Sequence, residues 1–145
     1  MKKNKTYWII IPIIILILLL SIILLTYKTN NEKEIKEVCI KEKCFSVKIA
    51  DTPEERATGL MFVNEMKENE GMLFIFDSEK KYSFWMKNTL IPLDIIWISK
   101  EMKIVDIQRG NPGNETSLIP KDKALYVLEI NPSYNFSIGG DVWLK

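Results

Sequence analysis

The chain has 145 residues, room for one domain and a short appendage. Its 20 basic and 19 acidic residues leave a net charge of +1, and histidine is absent. Residues 1–36 carry six lysines and two glutamates, and the remainder carries 14 basic and 17 acidic groups. A mildly acidic domain without a basic stripe argues against nucleic-acid binding, and two cysteines with no histidine leave no zinc set.

From Trp8 to Leu25 every residue except Ser21 is apolar. As a helix this run would reach ~27 Å, close to the hydrocarbon thickness of a bilayer. Pro12 falls in the first turns, where a missing N–H is tolerated. Lys2, Lys3 and Lys5 precede the run, and Tyr7, Trp8 and Tyr27 suit the two interfaces. A cleaved signal peptide is the rival reading, but the run is longer than the usual apolar region of one, and no small-x-small site or lipidation cysteine follows it. Residues 1–27 are therefore expected to be an uncleaved membrane anchor, 28–36 a polar tether, and 37–145 one domain. Lysines stand on both sides of the run, so their count does not orient it. A very short basic tail usually stays inside, which puts the domain on the extracytoplasmic side.

Between Val38 and Phe45, a two-residue turn at Lys41-Glu42 would set Cys39 opposite Cys44 as a close, non-hydrogen-bonded pair, compatible with a disulfide. Lys-Glu lacks the Asn or Gly chemistry of tight primed turns, so a longer loop with the same facing fits too, and two reduced cysteines are the alternative. Phe45, Val47 and Ile49 then alternate with Ser46, Lys48 and Ala50 as a half-buried strand. Thr52, Pro53 and Glu55 spell a capping box and first turn. The short helix they open is expected to face inward through Ala57, Leu60 and Met61 and to end near Gly59.

Further strands are expected over Met72 to Phe76, Tyr82 to Met86, Leu93 to Ile98, Lys103 to Gln108, Ala124 to Ile130 and Asp141 to Leu144. Residues 62–70 and 110–122 read as loops, and Asp77 to Lys81 as a polar turn. About seven or eight short strands with one short helix make an all-β barrel or sandwich.

The densest run of information is Phe84 to Ile98. Two apolar blocks flank a polar corner, and Asp94 sits inside the second block between Leu93 and Ile95. A carboxylate there must find a partner or face a cleft, because burying it alone is too costly.

Several blocks in order resemble the domain of unknown function 192 family. They are Glu55-Arg56-Ala57-Thr58-Gly59-Leu60-Met61, Gly71 to Phe76, Phe84-Trp85-Met86-Lys87-Asn88-Thr89 with Pro92 to Ile96, Tyr126-Val127-Leu128-Glu129, and Gly140-Asp141-Val142. The resemblance covers roughly Phe45 to Leu144. It implies a small jelly-roll-like β fold, often secreted or membrane-attached, and no established activity. Two places depart from the pattern. Neutral Phe62-Val63-Asn64 stands where a basic residue commonly follows, and Asn131-Pro132 stands where a glycine is usual.

The expected pocket comprises Arg56, Met61, Met72, Trp85, Met86, Asn88 and Asp94, holding a small molecule, glycan or envelope partner without catalysis and without a cofactor. Asp94 would face the ligand, or else act as a brace paired with Arg56, Lys87 or Asn88. Of Trp85 and Met86, one should point in and the other out. Met61, Met66, Met72, Met86 and Met102 raise a thioether copper site, although core filling is the ordinary use of methionine. The first alternative function is a hydrolase using Asp94 and Glu129, and the second is a structural or protein-interaction module. Phosphate-binding glycine loops, histidine bases and nucleophile elbows are absent. Asn114-Glu115-Thr116 and Asn135-Phe136-Ser137 fit the glycosylation acceptor pattern.

Overall fold

The computed structural model describes residues 5–29, 35–132 and 135–145. The chain divides into two units, Met1–Glu34 and Ile35–Lys145.

The first unit holds one helix, α1 (Lys5–Thr29), with Pro12 inside it. Its side chains are described over residues 10–22, and the large aliphatic ones among them are exposed, from Ile10 at 44% to Ile17 at 60%. This described part amounts to ~20 Å of helix. Among the described residues no helix is long and apolar enough to cross a membrane. Most of the expected tether, from residue 30 to 34, lies outside the described residues.

The second unit is built on one sheet. Its strands are β1 (Glu37–Ile40), β2 (Lys43–Ala50), β3 (Glu70–Lys80), β4 (Leu93–Ile98), β5 (Ile104–Gly110), β6 (Ala124–Ile130) and β7 (Val142–Leu144), with the short helix α2 (Pro53–Thr58) between β2 and β3. The order across the sheet is β5-β4-β6-β3-β2-β1-β7. Among the described strand pairs only β2–β3 is parallel, the α2 crossover allowing it. The sheet curls so that the start of β5 approaches the start of β7. Lys103 bridges Asp141, Ile104 N–H donates to Gly140 O at 3.0 Å, and Val142 N–H donates to Met102 O at 3.0 Å. The result is a half-barrel made of one sheet, where the sequence had suggested a jelly-roll-like barrel or a sandwich.

Curling gives the sheet two buried faces. The inner face packs Val38, Ile40, Phe45, Leu73, Ile96, Leu128 and Ile130. The outer face packs Met72, Phe74, Leu93, Ile95, Trp97 and Val127 under Leu60, Met86 and Ile91 from the covering loops. Covered on both faces and paired on both edges, β4 is buried at all six positions, as its unbroken apolar run implies.

The β1–β2 hairpin turns at Lys41-Glu42 with Ile40 opposite Lys43 and Cys39 opposite Cys44. Lys41 takes a left-handed φ of 54°, so the turn forms despite its side chains. The two cysteines are joined in a disulfide.

Three expected elements differ. β3 does not stop at Phe76 but runs to Lys80, which pairs with Ala124 after an irregularity. Residues 82–86 form no strand: Phe84 makes one bridge to Leu118, and the segment lies across the outer face. α2 buries none of its own residues, and Ala57 is exposed, while Leu60 just beyond the helix provides the inward contact.

Candidate functional site

The cover of the outer face has three parts. The first is α2 with its exit, Gly59-Leu60-Met61. Thr52 Oγ1 accepts from Glu55 N–H at 3.2 Å, and Glu55 Oε2 accepts from Thr52 N–H at 3.1 Å. Hydrogen bonding with Thr52, its backbone N–H foremost, and from the Asp51 N–H holds the Glu55 carboxyl below the usual range. Gly59 ends the helix at a φ of 48°, its N–H donating to Glu55 O at 2.8 Å. Arg56 lies over the Phe76 ring at 5.2 Å and donates from Nη1 to Ile75 O at 2.8 Å.

The second part is the segment 81–92. Phe84 stands edge-on to Phe74 (4.9 Å) and to Trp97 (5.9 Å), and Trp97 Nε1 donates to Tyr82 O at 2.9 Å. Met86 N–H donates to Asn114 O, tying the segment to the third part, the loop after β5. Trp85 is 45% exposed and Met86 1%, and Lys87 Nζ lies 5.1 Å from the Trp85 ring.

The first two parts are clipped together. Phe62 N–H donates to Asn88 O at 2.8 Å, and Asn88 Nδ2 reaches Met61 Sδ at 3.9 Å. Both Phe62 (φ 64°) and Asn88 (φ 56°) are left-handed. Asn tolerates that region, whereas a bulky aromatic there is strained, so the surrounding contacts must hold the clip.

Beneath the clip lies a recess of about 30 Å³, room for about one water, lined by Arg56, Gly59, Met61, Phe74, Phe84, Trp85, Lys87, Thr89 and Glu129 among others. Glu129 is its acid. The residue is 4% exposed, and its Oε2 has no hydrogen-bond partner among the described residues. A Cβ placed on Gly59 would come within 4.0 Å of that oxygen, so the helix exit sits directly over it. Burial pushes the Glu129 carboxyl up to about 8. At neutral pH the group is thus mostly a neutral acid, able to donate a hydrogen bond into the recess.

Arg56, Met61 and Trp85 of the expected pocket line this recess. Met72 is the direct β3 neighbour of Glu129, buried beside it on the outer face. Met86 is core, and Asn88 belongs to the clip. Asp94 is elsewhere. Its Oδ1 accepts from Arg109 Nε at 2.8 Å and its Oδ2 from Arg109 Nη2 at 3.0 Å, across the β4–β5 ladder. The brace reading therefore describes Asp94, with Arg109 as partner in place of Arg56 or Lys87. That hydrogen bond, with the carboxylate's charge, raises the Arg109 pKa.

The register separates the two carboxylates of the hydrolase alternative. Ile95 stands opposite Glu129, and Asp94 opposite Ile130. Directly opposed residues share a face and successive residues alternate, so Glu129 projects to the outer face and Asp94 to the inner. They share no cleft, and the two-carboxylate hydrolase is overturned. The methionines are divided as well: Met66, Met72 and Met86 pack on the outer core and Met102 on the inner. Glu37, Cys39 and Cys44 lie close together, but both sulfurs are joined to each other.

Sequence reasoning passed over Gly59, Phe74, Phe84, Lys87 and Thr89 as site residues. Glu129 entered the sequence reading only as a hydrolase carboxylate, although it carries the signal that drew attention to Asp94, a carboxylate inside an apolar run, here Ala124 to Ile130. A larger hollow of about 260 Å³ lies next to the recess, between β2 and residues 60–70, with Leu60 as a shared wall. Among the described residues it holds no buried unpartnered side-chain atom.

Fold and site together define a class: a small β domain with one curled sheet whose outer face is roofed by a short helix and two loops over an acid-floored recess. The chain belongs to the DUF192 family, described as "Uncharacterized ACR", which it matches over residues 36–137. It is similar to a protein of unknown function from Novosphingobium aromaticivorans DSM 12444, with 34% identity and a TM-score of 0.72 over 75% of this chain and 84% of that one. It is also similar to a protein from Sinorhizobium meliloti 1021 named as a candidate transcription regulator, with 27% identity and a TM-score of 0.70 over 79% of this chain and 98% of that one. No curated protein matches the chain.

Proposed function

We propose that this chain is a non-catalytic binding module, held at the membrane outside the cytoplasm, that takes a small polar molecule or glycan at the recess over Glu129. The observation that carries the reading is the unpartnered, buried Glu129 Oε2 beneath an opening flanked by Trp85 and the α2 exit. Burying a polar atom without a partner is costly, and a ligand oxygen that accepts from it removes that cost. Trp85 adds a half-exposed ring beside the opening, suited to the apolar face of a sugar. The membrane part rests on the apolar run Trp8 to Leu25 and on α1 spanning it. The outside location rests on the disulfide, which persists in oxidising compartments.

Binding of the purified full chain in detergent to a printed panel of neutral and acidic oligosaccharides tests the ligand part. The expected result is signal on one sugar group that is lost in Glu129→Leu and Trp85→Ala variants with unchanged circular dichroism. Equal signal from all three proteins would remove the recess as the binding site. A second reading, a protein-interaction module, is favoured by the exposed Phe62 (66%) and Leu90 (52%) on the same two covering segments. It expects a panel without signal.

A further inference from the structure

The charges around the recess are unbalanced. Arg56 enters from α2 and Lys87 from the 81–92 segment, and these are the basic side chains among its lining residues. Neither forms an ion pair among the described residues: the Arg56 guanidinium is engaged with backbone carbonyls and the Phe76 ring, and the Lys87 ammonium with the Trp85 ring. Elsewhere in the domain carboxylates do compensate cations, as in Arg109 with Asp94, Lys100 with Glu79 and Lys103 with Asp141. The one acid of the recess is Glu129, which burial keeps mostly protonated at neutral pH, so it donates more than it neutralises. A recess with two unpaired cations and a neutral donor on its floor repels ammonium groups and attracts carboxylates. The floor holds little more than one oxygen, so most of a ligand must lie outside it, where the exposed Trp85 ring is.

Resting on the binding reading above, we propose that the ligand is an acidic sugar: its carboxylate is drawn to Arg56 and Lys87, one of its oxygens accepts from the Glu129 carboxyl at the floor, and its ring lies against Trp85. The arrangement sets a pH window. Arg56 and Lys87 line the recess with Glu129, and burial alone raises the Glu129 carboxyl, so the change with pH belongs to Glu129. As pH rises through about 8 the floor turns from donor to anion and opposes a carboxylate ligand.

The test is calorimetric titration of the full chain in detergent with trigalacturonate and with its neutral counterpart, galactotriose, at about pH 6. The acidic trimer is expected to bind at least about tenfold more tightly. That advantage should shrink severalfold between ~0.15 M and ~1 M salt, where the screening length falls from ~8 Å to ~3 Å. It should also shrink in Lys87→Met, whose substituted side chain is on the rim and braces no strand. Glu129→Gln, which keeps an N–H donor at the floor, should retain acid binding above pH 8 where the wild type loses it. Equal affinity for the two trimers, or acidic binding indifferent to Lys87→Met, overturns the acidic assignment and leaves the recess as a binding site. Binding of neither trimer overturns it too, and silence on the wider sugar panel then removes the glycan reading itself.

Discussion

Glu129 shows what one buried side chain does to the rest of the molecule. Its pKa is raised in the folded state, from an ordinary 4.5 to about 8. Between those values the folded chain holds a proton that the unfolded chain has released, so stability falls as pH rises. The contribution is fully present below about pH 4.5 and gone above about pH 8, with a size of a few kcal/mol. Glu129→Gln removes the titration and keeps the shape. Urea unfolding across this range should show a decline for the wild type that is flattened in the variant, the variant being the more stable at pH 8. Parallel curves would mean that Glu129 is solvated or partnered in solution. The same physics explains what was readable here. A carboxylate inside an apolar strand announces itself in the sequence at both Asp94 and Glu129, but only the register tells which one has a partner. Arg109 is 15 residues from Asp94, on the next strand, and nothing local marks the pairing.

Among elements, those governed by local chemistry were legible. The capping box, the Gly59 stop, the disulfide-closed hairpin and the all-apolar β4 follow from side chains a few residues apart. The far half of β3 was not legible, because Asp77 to Lys80 are mostly exposed and polar and continue the strand only through pairing at Ala124. Segment 81–92 misled for the opposite reason: its alternating apolar residues serve as a lid on the outer face, where alternation also buries every second side chain. Gly71 joins element to site. It pairs with Ile130 in the β3–β6 ladder, and a Cβ there would lie 2.7 Å from Glu129 O and 2.9 Å from Ile130 Cγ2. The nearer obstacle is backbone, which cannot swing aside. Gly71→Ala should therefore destabilise the domain by about 1–3 kcal/mol, read as a lower urea midpoint with unchanged slope. A neutral effect would show that β3 and β6 separate at this point at little cost.

For the whole molecule, the proposed anchoring gives the two units different solvents. The described side chains of α1 expose isoleucine and leucine all round, and the sequence extends that apolar surface to 18 residues. Such a helix offers no polar face to water, which is the pattern of a segment buried in protein or in lipid. Both sheet faces of the half-barrel carry cores built within Ile35–Lys145. Under the proposed anchoring, lipid is the solvent of the first unit. In cells, the wild-type chain is expected to stay in the membrane pellet after an alkaline carbonate wash, with Cys39 and Cys44 refractory to a thiol reagent until reduced. Replacing Ile14 and Leu18 with lysine adds about 2.5–3.5 kcal/mol per residue against insertion at the centre of a span. Together the two changes shift partitioning by roughly four orders of magnitude, enough to release the variant from the pellet while its half-barrel stays folded. A wild-type chain washed off by carbonate would assign α1 to another role, and freely reactive thiols would place the domain on the reducing side of the membrane, because the hairpin disulfide would not persist there.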